Sequence, residues 1–489
     1  MNGSPQASQP LPWFARPQAR SWTCAIPGEV SSGAVRAFHA SLPGYAPTPL
    51  AEIPALAAEL GTGRVFVKDE SARLGLPAFK VLGASWAVHQ LLASTPAGEP
   101  AAPATDSAPV PATPADGLAG LRELAARRRG LIFVTATDGN HGRAVARMAK
   151  LAGAPARVFV PAVTGPAARA AIASEGAEVI EVAGGYDETV AKARQWARDR
   201  RGAALVQDTA WPGYEQVPGW IVAGYSTLFA ELGAQLAAAG AGPPALVAVP
   251  VGVGSLAQAA VAHYRARGAA GRAGPALLSV EPDTAACLLA SLRAGALVSV
   301  PTANTVMAGL NCGTISSIAW PYFANGLDAA VAVSDDAARQ ATVDLANAGI
   351  SSGPSGAASL AGARAALTGP GSAARRTVLS VAANSVIVLL STEAAHPAQL
   401  LTPAAPSRLV CLTRKRDISF LHSGESANGR QDGQLGQPGT GYAGAACVDP
   451  GTVARGPAGR GTAGPGRVAR GDRARGDTEP GRRGRRLHG

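Results

Sequence analysis

One lysine lies in an apolar segment, Leu76–Val88, which reads LPAFKVLGASWAV. The chain has only five lysines: Lys68, Lys80, Lys150, Lys192 and Lys415. Charged side chains are rarely buried without a partner, and burial lowers the pKa of a lysine toward that of a usable nucleophile. Lys80 is therefore a candidate catalytic amine. The alternative is that its stem covers apolar neighbours while its ammonium group stays in water.

A glycine-rich turn, PVGVGSLAQA, follows a predicted strand and begins a predicted helix. Gly252 and Gly254 let the backbone approach a ligand closely, and the free N–H groups at the helix start favour a phosphate. The same turn fits a dinucleotide-binding pattern, G-x-G-x-x-A, with Glu281 as the ribose acceptor at the end of the next strand. That alternative leaves Lys80 unexplained, and Glu281 lies beyond the typical spacing of roughly 20 residues. A turn that only packs the helix against the strand is a third interpretation.

A second turn between strand and helix occurs in TATDGNHGRAVA. Gly139 and Gly142 flank Asn140, so backbone N–H groups again lie at a helix start, where they suit a carboxylate. Asp138 or Asn140 can also serve as an ordinary helix cap. Capping alone does not require two polar side chains and two glycines so close together, and the pattern therefore favours a binding site.

A buried strand in VIVLLSTEAAH ends at two hydroxyl residues, Ser391 and Thr392. Ligands of parallel α/β sheets bind beyond the carboxyl ends of strands, and a hydroxyl there can contact a ring nitrogen without charging it. These residues can equally do no more than end the strand. A phosphate-binding turn, a carboxylate-binding turn, a lysine and a terminal hydroxyl together predict one cofactor, pyridoxal 5'-phosphate, bound to Lys80 as a Schiff base.

Parallel sheets are expected to position these residues, because short β-branched runs alternate with Ala-rich helical stretches. The predicted strands are Arg64–Lys68, Leu131–Thr135, Arg157–Val160, Glu178–Val182, Leu205–Gln207, Leu246–Val251, Leu277–Val280, Ala330–Val333 and Val386–Leu390. The predicted helices include Ala84–Leu92, Gly142–Ala152, Asp187–Asp199, Leu256–Arg267, Asp335–Ala348 and Gly356–Ala366. We predict an α/β fold of two lobes, each with a parallel-rich sheet flanked by helices.

The chain divides by composition into four predicted regions. These are a flexible N-terminal arm at 1–30, a larger cofactor-binding lobe from 31–83 and 218–397, a smaller lobe at 84–217, and a disordered Arg/Gly/Pro-rich tail at 398–489. The Pro- and Ala-rich insertion Thr95–Asp116 is predicted to be a flexible surface loop. Out-of-frame translation of a GC-rich gene would also give the composition of the tail.

The formal net charge of +11 comes mainly from that tail. Residues 401–489 hold 15 Lys and Arg against 7 Asp and Glu, which leaves 29 against 26 in residues 1–400. The body shows no clustered basic stripe in its sequence, and this argues against nucleic-acid binding. The five cysteines form neither a CxxC pair nor a metal-ligand spacing. With no apparent signal peptide and an apolar run, Ala245–Ala262, broken by proline and glycines, we expect a cytoplasmic protein that does not enter the membrane.

Four motifs, FKVLGA, DGNHG, GVGS and a C-terminal ST, together resemble the tryptophan-synthase-β-like (fold type II) pyridoxal-phosphate enzymes. Within that group, KDESARLGLPAFKVLGASWA, TATDGNHGRAVA and MAGLNCG are similar to the diaminopropionate ammonia-lyases. The resemblance covers about residues 30 to 393. Asp138 is its most specific element, because the dehydratase relatives usually carry a small residue there.

The resemblance implies a role for each matching residue. Lys80 binds the cofactor and removes the substrate α-proton, and Asn140 hydrogen-bonds the 3-hydroxyl of the cofactor ring. Ser391 faces the ring nitrogen, with Thr392 as the second choice. The implied phosphate-binding residues are Gly252, Val253, Gly254 and Ser255, and the implied substrate-binding residues are Thr137, Asp138 and Asp187. Asp138 is also the implied acid/base group, and Asp187 a second carboxylate near the substrate ammonium groups.

The implied reaction is β-elimination of 2,3-diaminopropionate to an aminoacrylate, which hydrolyses to pyruvate and ammonia. A serine or threonine dehydratase-like lyase would use the same Lys80, but Asp138 argues against it. An NAD-dependent oxidoreductase would depend on the Gly252 turn alone. An inactive homologue is a further alternative, because Pro354 stands where the family has a glutamate and STEAAHPAQ replaces STEG and an acidic stretch.

Cys287 and Cys312 are predicted to lie near each other, because each flanks a loop after the strand Leu277–Val280. A disulfide between them is disfavoured in a reducing cytoplasm. A homodimer is expected on general frequency alone.

Overall fold

Eleven strands and fifteen α-helices form the part of the chain that the computed structural model describes, residues 11–24, 32–94, 117–266 and 274–396. The strands are β1 Trp13–Ala15, β2 Leu50–Glu52, β3 Arg64–Asp69, β4 Ile132–Ala136, β5 Ala156–Pro161, β6 Glu178–Val182, β7 Ala203–Leu205, β8 Leu246–Pro250, β9 Ala276–Pro282, β10 Ala329–Val333 and β11 Val386–Ser391. The helices are α1 Ser32–Ala40, α2 Pro54–Leu60, α3 Lys80–Ser94, α4 Gly117–Ala126, α5 Asn140–Ala152, α6 Pro166–Ser174, α7 Tyr186–Arg198, α8 Gln216–Gly224, α9 Ser226–Ala238, α10 Ser255–Tyr264, α11 Cys287–Ala294, α12 Trp320–Gly326, α13 Asp335–Asn347, α14 Pro354–Leu367 and α15 Ser372–Leu379.

Seven strands form the larger sheet, in the order β1-β10-β9-β8-β11-β3-β2. The five central strands run parallel, and β1 and β2 pair antiparallel at the two edges. Every residue of β8 and of β11 is buried, as expected for strands covered by helices on both faces. The carboxyl ends of β3, β8 and β11 therefore lie together at one edge of this sheet.

Four parallel strands form the smaller sheet, in the order β6-β5-β4-β7. The residues after β4 and β7 begin the segments that reach the site described below. Two parallel-rich sheets flanked by helices confirm the predicted fold class. The exact lobe boundaries remain a prediction.

Helix α3 packs against α8 at a distance that only glycine permits. A Cβ on Gly83 would lie 2.7 Å from the ring of Tyr225, and a Cβ on Gly224 would lie 2.5 Å from the carbonyl oxygen of Leu82. Side chains at either position would push the two helices apart. This close contact fixes the helix whose first residue is Lys80.

The structure differs from the sequence prediction mainly at short elements. Within residues 1–30, predicted to be a flexible arm, Trp13–Ala15 pairs with β10 and Arg20 forms an ion pair of 2.7 Å with Asp328. Strands of three residues, such as β1 and β2, are too short to show a periodicity in sequence. The strand predicted at Leu205–Gln207 lies slightly earlier, as β7.

Two predicted regions, the loop Thr95–Asp116 and the tail 398–489, lie outside the described residues. The suggestion of out-of-frame coding concerns that same tail. No helix in the described ranges combines the length and the apolar character needed to cross a membrane.

Buried histidines make the fold sensitive to acid. His89 is 0% exposed, stacks against Trp86 at 5.2 Å between ring centroids, and finds no hydrogen-bond partner for either ring nitrogen among the described residues. Burial lowers the pKa of His89 to about 4. Below about pH 6.5 the unfolded chain binds a proton at His89, whereas the folded protein binds it only near pH 4. The free energy of unfolding therefore falls as the pH drops from about 6.5 toward 4.

We expect His89 to lower the free energy of unfolding by about 2 kcal/mol between pH 7.5 and pH 5. Urea denaturation at the two pH values measures the loss. His89→Phe keeps an aromatic ring and removes the titration, so its loss between the two pH values should be smaller by about that amount. An identical pH dependence in the parent and the variant would contradict this assignment.

Candidate active site

Lys80 is the first residue of α3, and its Nζ lies 2.7 Å from Oδ2 of Asp208. Asp208 follows β7, so this ion pair joins segments that leave the two different sheets. Burial alone would lower the pKa of Lys80, as the sequence predicted, but neighbouring negative charges, above all Asp208, raise it instead. Burial alone would raise the pKa of Asp208, yet Lys80 and its other neighbours hold it at about 2. Both groups are therefore charged at neutral pH.

A buried cluster of two cations and two anions fixes the segment that leads from β3 to Lys80. Nζ of Lys68 lies 2.8 Å from Glu231. Arg73 lies 2.6 Å from Glu70 and 2.7 Å from Glu231. Because the loss of one partner would leave an uncompensated buried charge, this cluster holds the segment in one arrangement.

The Asp208 carboxylate faces two neutral side chains, those of Tyr186 and His141. Gln207 Nε2 donates to the Tyr186 hydroxyl at 3.0 Å, and that hydroxyl lies 3.4 Å from Asp208 Oδ1. His141 donates from Nε2 to the carbonyl of Val206 at 2.8 Å. Its Nδ1 is buried, lies 3.9 Å from Asp208 Oδ2, and has no hydrogen-bond partner among the residues described. Burial lowers the pKa of His141, and its unprotonated Nδ1 therefore faces the carboxylate without a hydrogen bond.

The turn after β4 brings Thr137, Asp138 and Asn140 into the cavity that Lys80 lines. Burial raises the pKa of Asp138 to about 6, although the positive charge of Lys80 opposes the shift. A carboxyl group with such a pKa is well suited to proton transfer near neutral pH. Nδ2 of Asn140 donates to Oε2 of Glu393 at 2.7 Å, and this contact also joins the two sheets.

All four residues of the predicted phosphate-binding turn line the same cavity. A Cβ on Gly252 would lie 2.8 Å from the carbonyl oxygen of Gly309. A Cβ on Gly254, where φ is +97°, would lie 2.7 Å from the ring of Phe323. Helix α10 begins at Ser255, so its first N–H groups have no partner within the helix. The turn is thus a narrow backbone cradle at a helix start, which suits a phosphate.

The terminal hydroxyl residues lie in different environments. Ser391 is fully buried, its Oγ donates to Oγ of Ser352 at 2.8 Å, and it does not line the cavity. Thr392 does line the cavity. The second choice from the sequence therefore stands at the site, whereas Ser391, the first choice, does not.

Asp187 is an exposed residue in the first turn of α7 and does not line the cavity. Cys312 lines the cavity, Cys287 is buried, and neither forms a disulfide. Burial, with smaller contributions from Glu281 and Cys312, raises the pKa of Cys287. The proximity of the two thiols stays a prediction.

Two features that supported other functions have structural explanations. Glu281, the ribose acceptor of the dinucleotide hypothesis, is fully buried and accepts hydrogen bonds from the N–H groups of Leu288 and Leu289 at 2.7 and 2.8 Å. It is therefore occupied in capping α11. Pro354 is the first residue of α14, a position where proline is favoured, and it does not line the cavity.

The residues present fit pyridoxal phosphate. One cavity of about 500 Å³ brings together Lys80, the glycine cradle at the start of α10, the Asp138 carboxyl group and Thr392. A small aromatic phosphate ester requires these groups, namely an amine, N–H donors for a phosphate and polar contacts for a ring.

Three residues of this cavity were missed in the sequence: Tyr186, Asp208 and Glu393. A signal for Asp208 existed, because it follows the predicted strand Leu205–Gln207 directly. Glu393 likewise follows the two hydroxyl residues that end β11. Neither carboxylate lies in a glycine-rich turn of the kind that marks the other predicted binding residues.

Comparison with known proteins agrees with this geometry. Residues 41–383 match the family described as pyridoxal-phosphate dependent enzyme. The chain is 36% identical to diaminopropionate ammonia-lyase of Salmonella typhimurium over 304 residues, which cover 62% of this chain and 72% of that protein. It is 33% identical to diaminopropionate ammonia-lyase of Escherichia coli over 368 residues, 73% of this chain and 87% of that protein. The crystal structure of the E. coli protein with an aminoacrylate–PLP azomethine reaction intermediate superposes with a TM-score of 0.65 at 30% identity, and the match covers 79% of this chain and 94% of that one.

Proposed function

Because the chain belongs to the pyridoxal-phosphate-dependent enzymes and, within them, to the diaminopropionate ammonia-lyase family, we propose that it converts 2,3-diaminopropionate to pyruvate and ammonia. Pyridoxal phosphate, when bound, withdraws electrons from the substrate α-carbon and so makes its proton acidic. Each substrate molecule consumes one water and releases one pyruvate and two ammonia.

The acidic character of the active-site cavity supports diaminopropionate as the substrate. Lys80 shares its cavity with three carboxyl groups, those of Asp138, Asp208 and Glu393. Arg143, which also lines the cavity, is paired with Glu175 at 3.2 Å. A cavity rich in acidic groups attracts a substrate with two ammonium groups more strongly than one with a single ammonium group, such as serine or threonine.

The proposed proton transfers use Lys80 and Asp138. Lys80 binds the cofactor covalently and removes the α-proton on its own face of the substrate. Asp138, with its raised pKa, serves the opposite face. Asp208 takes the role expected of Asp187, since it lies in the cavity and can pair with a cation there.

The proposed binding contacts come from the turns at the ends of the strands. The N–H groups of Gly252–Ser255 hold the phosphate, and Asn140 contacts the ring hydroxyl. Thr392, in place of Ser391, faces the ring nitrogen. Thr137 lies in the turn proposed to hold the substrate carboxylate.

The direct test is turnover of the purified holoenzyme with 2,3-diaminopropionate, L-serine and L-threonine. We expect one pyruvate and two ammonia from each diaminopropionate, and a much lower kcat/KM with the hydroxy amino acids. Faster turnover of serine or threonine would favour a dehydratase, and no turnover of any of the three would favour an inactive homologue.

The raised pKa of Asp138 predicts a pH dependence. The residue acts as a base only when it is ionised, so kcat/KM for D-diaminopropionate should fall about tenfold per pH unit below about pH 6. A profile of kcat/KM from pH 5 to pH 8 measures this limb. The limb should vanish in Asp138→Asn, and its persistence there would assign it to another group.

We further propose a cytoplasmic homodimer. Within the described residues Cys287 and Cys312 form no disulfide, which suits a reducing compartment, and two-fold dimers are the commonest assemblies of soluble proteins. Light scattering of the purified protein should give twice the mass of one chain.

A further inference from the structure

A second cavity, of about 570 Å³, opens at the end of the smaller sheet where β4 and β5 begin. The candidate active site lies beyond the opposite ends of the same strands. Arg157, Arg200 and Arg201 line this cavity together with Trp196, and Asp199 is the only acidic residue among the described residues of the lining.

The fold brings two arginine-rich turns together here. They read RRRG, residues 127–130, and RDRRG, residues 198–202, and each ends in a glycine just before a strand of the smaller sheet. Gly130 and Gly202 have φ values of +67° and +84°, and a Cβ on Gly202 would lie 2.3 Å from the carbonyl oxygen of Gly130. The N–H of Ile132 donates to the carbonyl of Gly202 at 3.1 Å. The two turns are thus held side by side and form a basic cluster. No local sequence pattern reveals this cluster, because 71 positions separate the two motifs.

These nine residues contain six arginines and one aspartate, a net charge of +5, although residues 1–400 together carry only +3. Some of these charges are occupied: Arg127 pairs with Glu123, and the buried Arg128 donates to backbone carbonyls of α3. Within the described part of the chain, no ion pair forms at four exposed arginines: Arg129, Arg198, Arg200 and Arg201. Like charges gathered in this way repel one another, so an anion that binds among them would relieve an unfavourable energy.

Trp196 arranges two of the cavity arginines. The guanidinium carbons of Arg157 and Arg200 lie 4.3 and 4.6 Å from the Trp196 ring centroid. Arg157 also forms an ion pair with Glu178. Stacking on an aromatic ring restricts a guanidinium group. The edge of Arg157 donates to Glu178, whereas Arg200 forms no ion pair within the described residues.

We propose that this cavity binds a small molecule through a phosphate group. Planar guanidinium groups recognise phosphate oxygens with two parallel hydrogen bonds. Here Arg200 and Arg201 line the cavity and form no ion pair within the described residues, and Arg200 is also stacked on Trp196. The cluster is confined to two turns around a cavity, which suits a compact anion better than a long nucleic-acid backbone. Inorganic phosphate and a phosphate ester share the recognised group.

The test uses the full-length holoenzyme in buffer free of phosphate, at constant ionic strength. Phosphate, glycerol 3-phosphate and chloride are titrated while tryptophan fluorescence is recorded, and Trp196→Phe identifies the part of the signal that Trp196 contributes. Arg200→Gln/Arg201→Gln removes two charges of the cavity. Arg36→Gln/Arg293→Gln removes two exposed charges elsewhere, and every variant keeps the basic tail, whose contribution therefore cancels.

We expect a saturable change in tryptophan fluorescence with phosphate or its ester, and none with chloride. The Kd for phosphate should rise at least tenfold in Arg200→Gln/Arg201→Gln and stay unchanged in Arg36→Gln/Arg293→Gln. Arg200→Lys keeps the positive charge but loses the planar guanidinium group that donates two parallel hydrogen bonds. It should weaken binding by a smaller factor. The relative Kd of the two phosphates identifies the better source. Equal affinity in both double variants, or no saturation with either phosphate, would overturn the proposal. An oligonucleotide is titrated in the same way. If the cavity double variant loses only oligonucleotide binding, the cluster binds nucleic acid instead.

Discussion

Lys80→Ala should reduce turnover of both isomers of diaminopropionate by on the order of 10³-fold or more, because the variant loses both the covalent link to the cofactor and one base. Lys80 is the only lysine that lines the active-site cavity within the described residues. Its partner Asp208 would then remain as a buried carboxylate without its cation. Pyruvate formation in a coupled assay measures the loss.

The matched control is Lys150→Ala, which removes an exposed lysine from the last turn of α5. Its kcat should stay within about twofold of the parent, as is usual for a surface substitution. If Lys80→Ala kept a substantial fraction of the activity, the lysine would not be the cofactor-binding residue.

Asp138→Asn keeps the size of the side chain and removes the proposed base on the face opposite Lys80. General-base catalysis of this kind contributes roughly 10²–10⁴-fold. We expect a loss of that order in kcat/KM with D-diaminopropionate and a smaller loss with the L isomer, for which Lys80 is the proposed base. Steady-state assays with each pure isomer measure the difference.

Asp187→Asn serves as the control, since Asp187 is an exposed acid near the site that does not line the cavity. Asp187→Asn should leave the ratio of kcat/KM for the D isomer to kcat/KM for the L isomer unchanged. If Asp138→Asn lowered kcat/KM equally for both isomers, Asp138 would only position the substrate and would not act as a base.

Much of the site could be predicted because its residues follow strands in short, glycine-rich turns. Lys80, Asp138, Asn140 and the turn at Gly252 all line one cavity, as the sequence indicated. Parallel strands bring their carboxyl ends to one edge, so residues distant in sequence become neighbours there.

Other features depend on the three-dimensional arrangement. A strand that is buried on both faces shows no alternation of apolar and polar residues. The sequence pattern therefore does not reveal that Thr392, the second choice, lines the cavity and that Ser391, the first choice, does not. The ion pair between Lys80 and Asp208 spans 128 positions, and no local pattern reveals it. That contact also explains why the pKa of Lys80 is raised, whereas burial alone predicts a lower value.

The most direct test of the central claim is to reduce the purified protein with borohydride and to map the product by mass spectrometry. We predict that the yellow colour of the bound cofactor is bleached and that a phosphopyridoxyl group remains on the peptide containing Lys80. No phosphopyridoxyl group should remain on the corresponding peptide of Lys80→Ala. A protein that carries no such group after reconstitution with pyridoxal phosphate, or carries it on another lysine, would contradict the account.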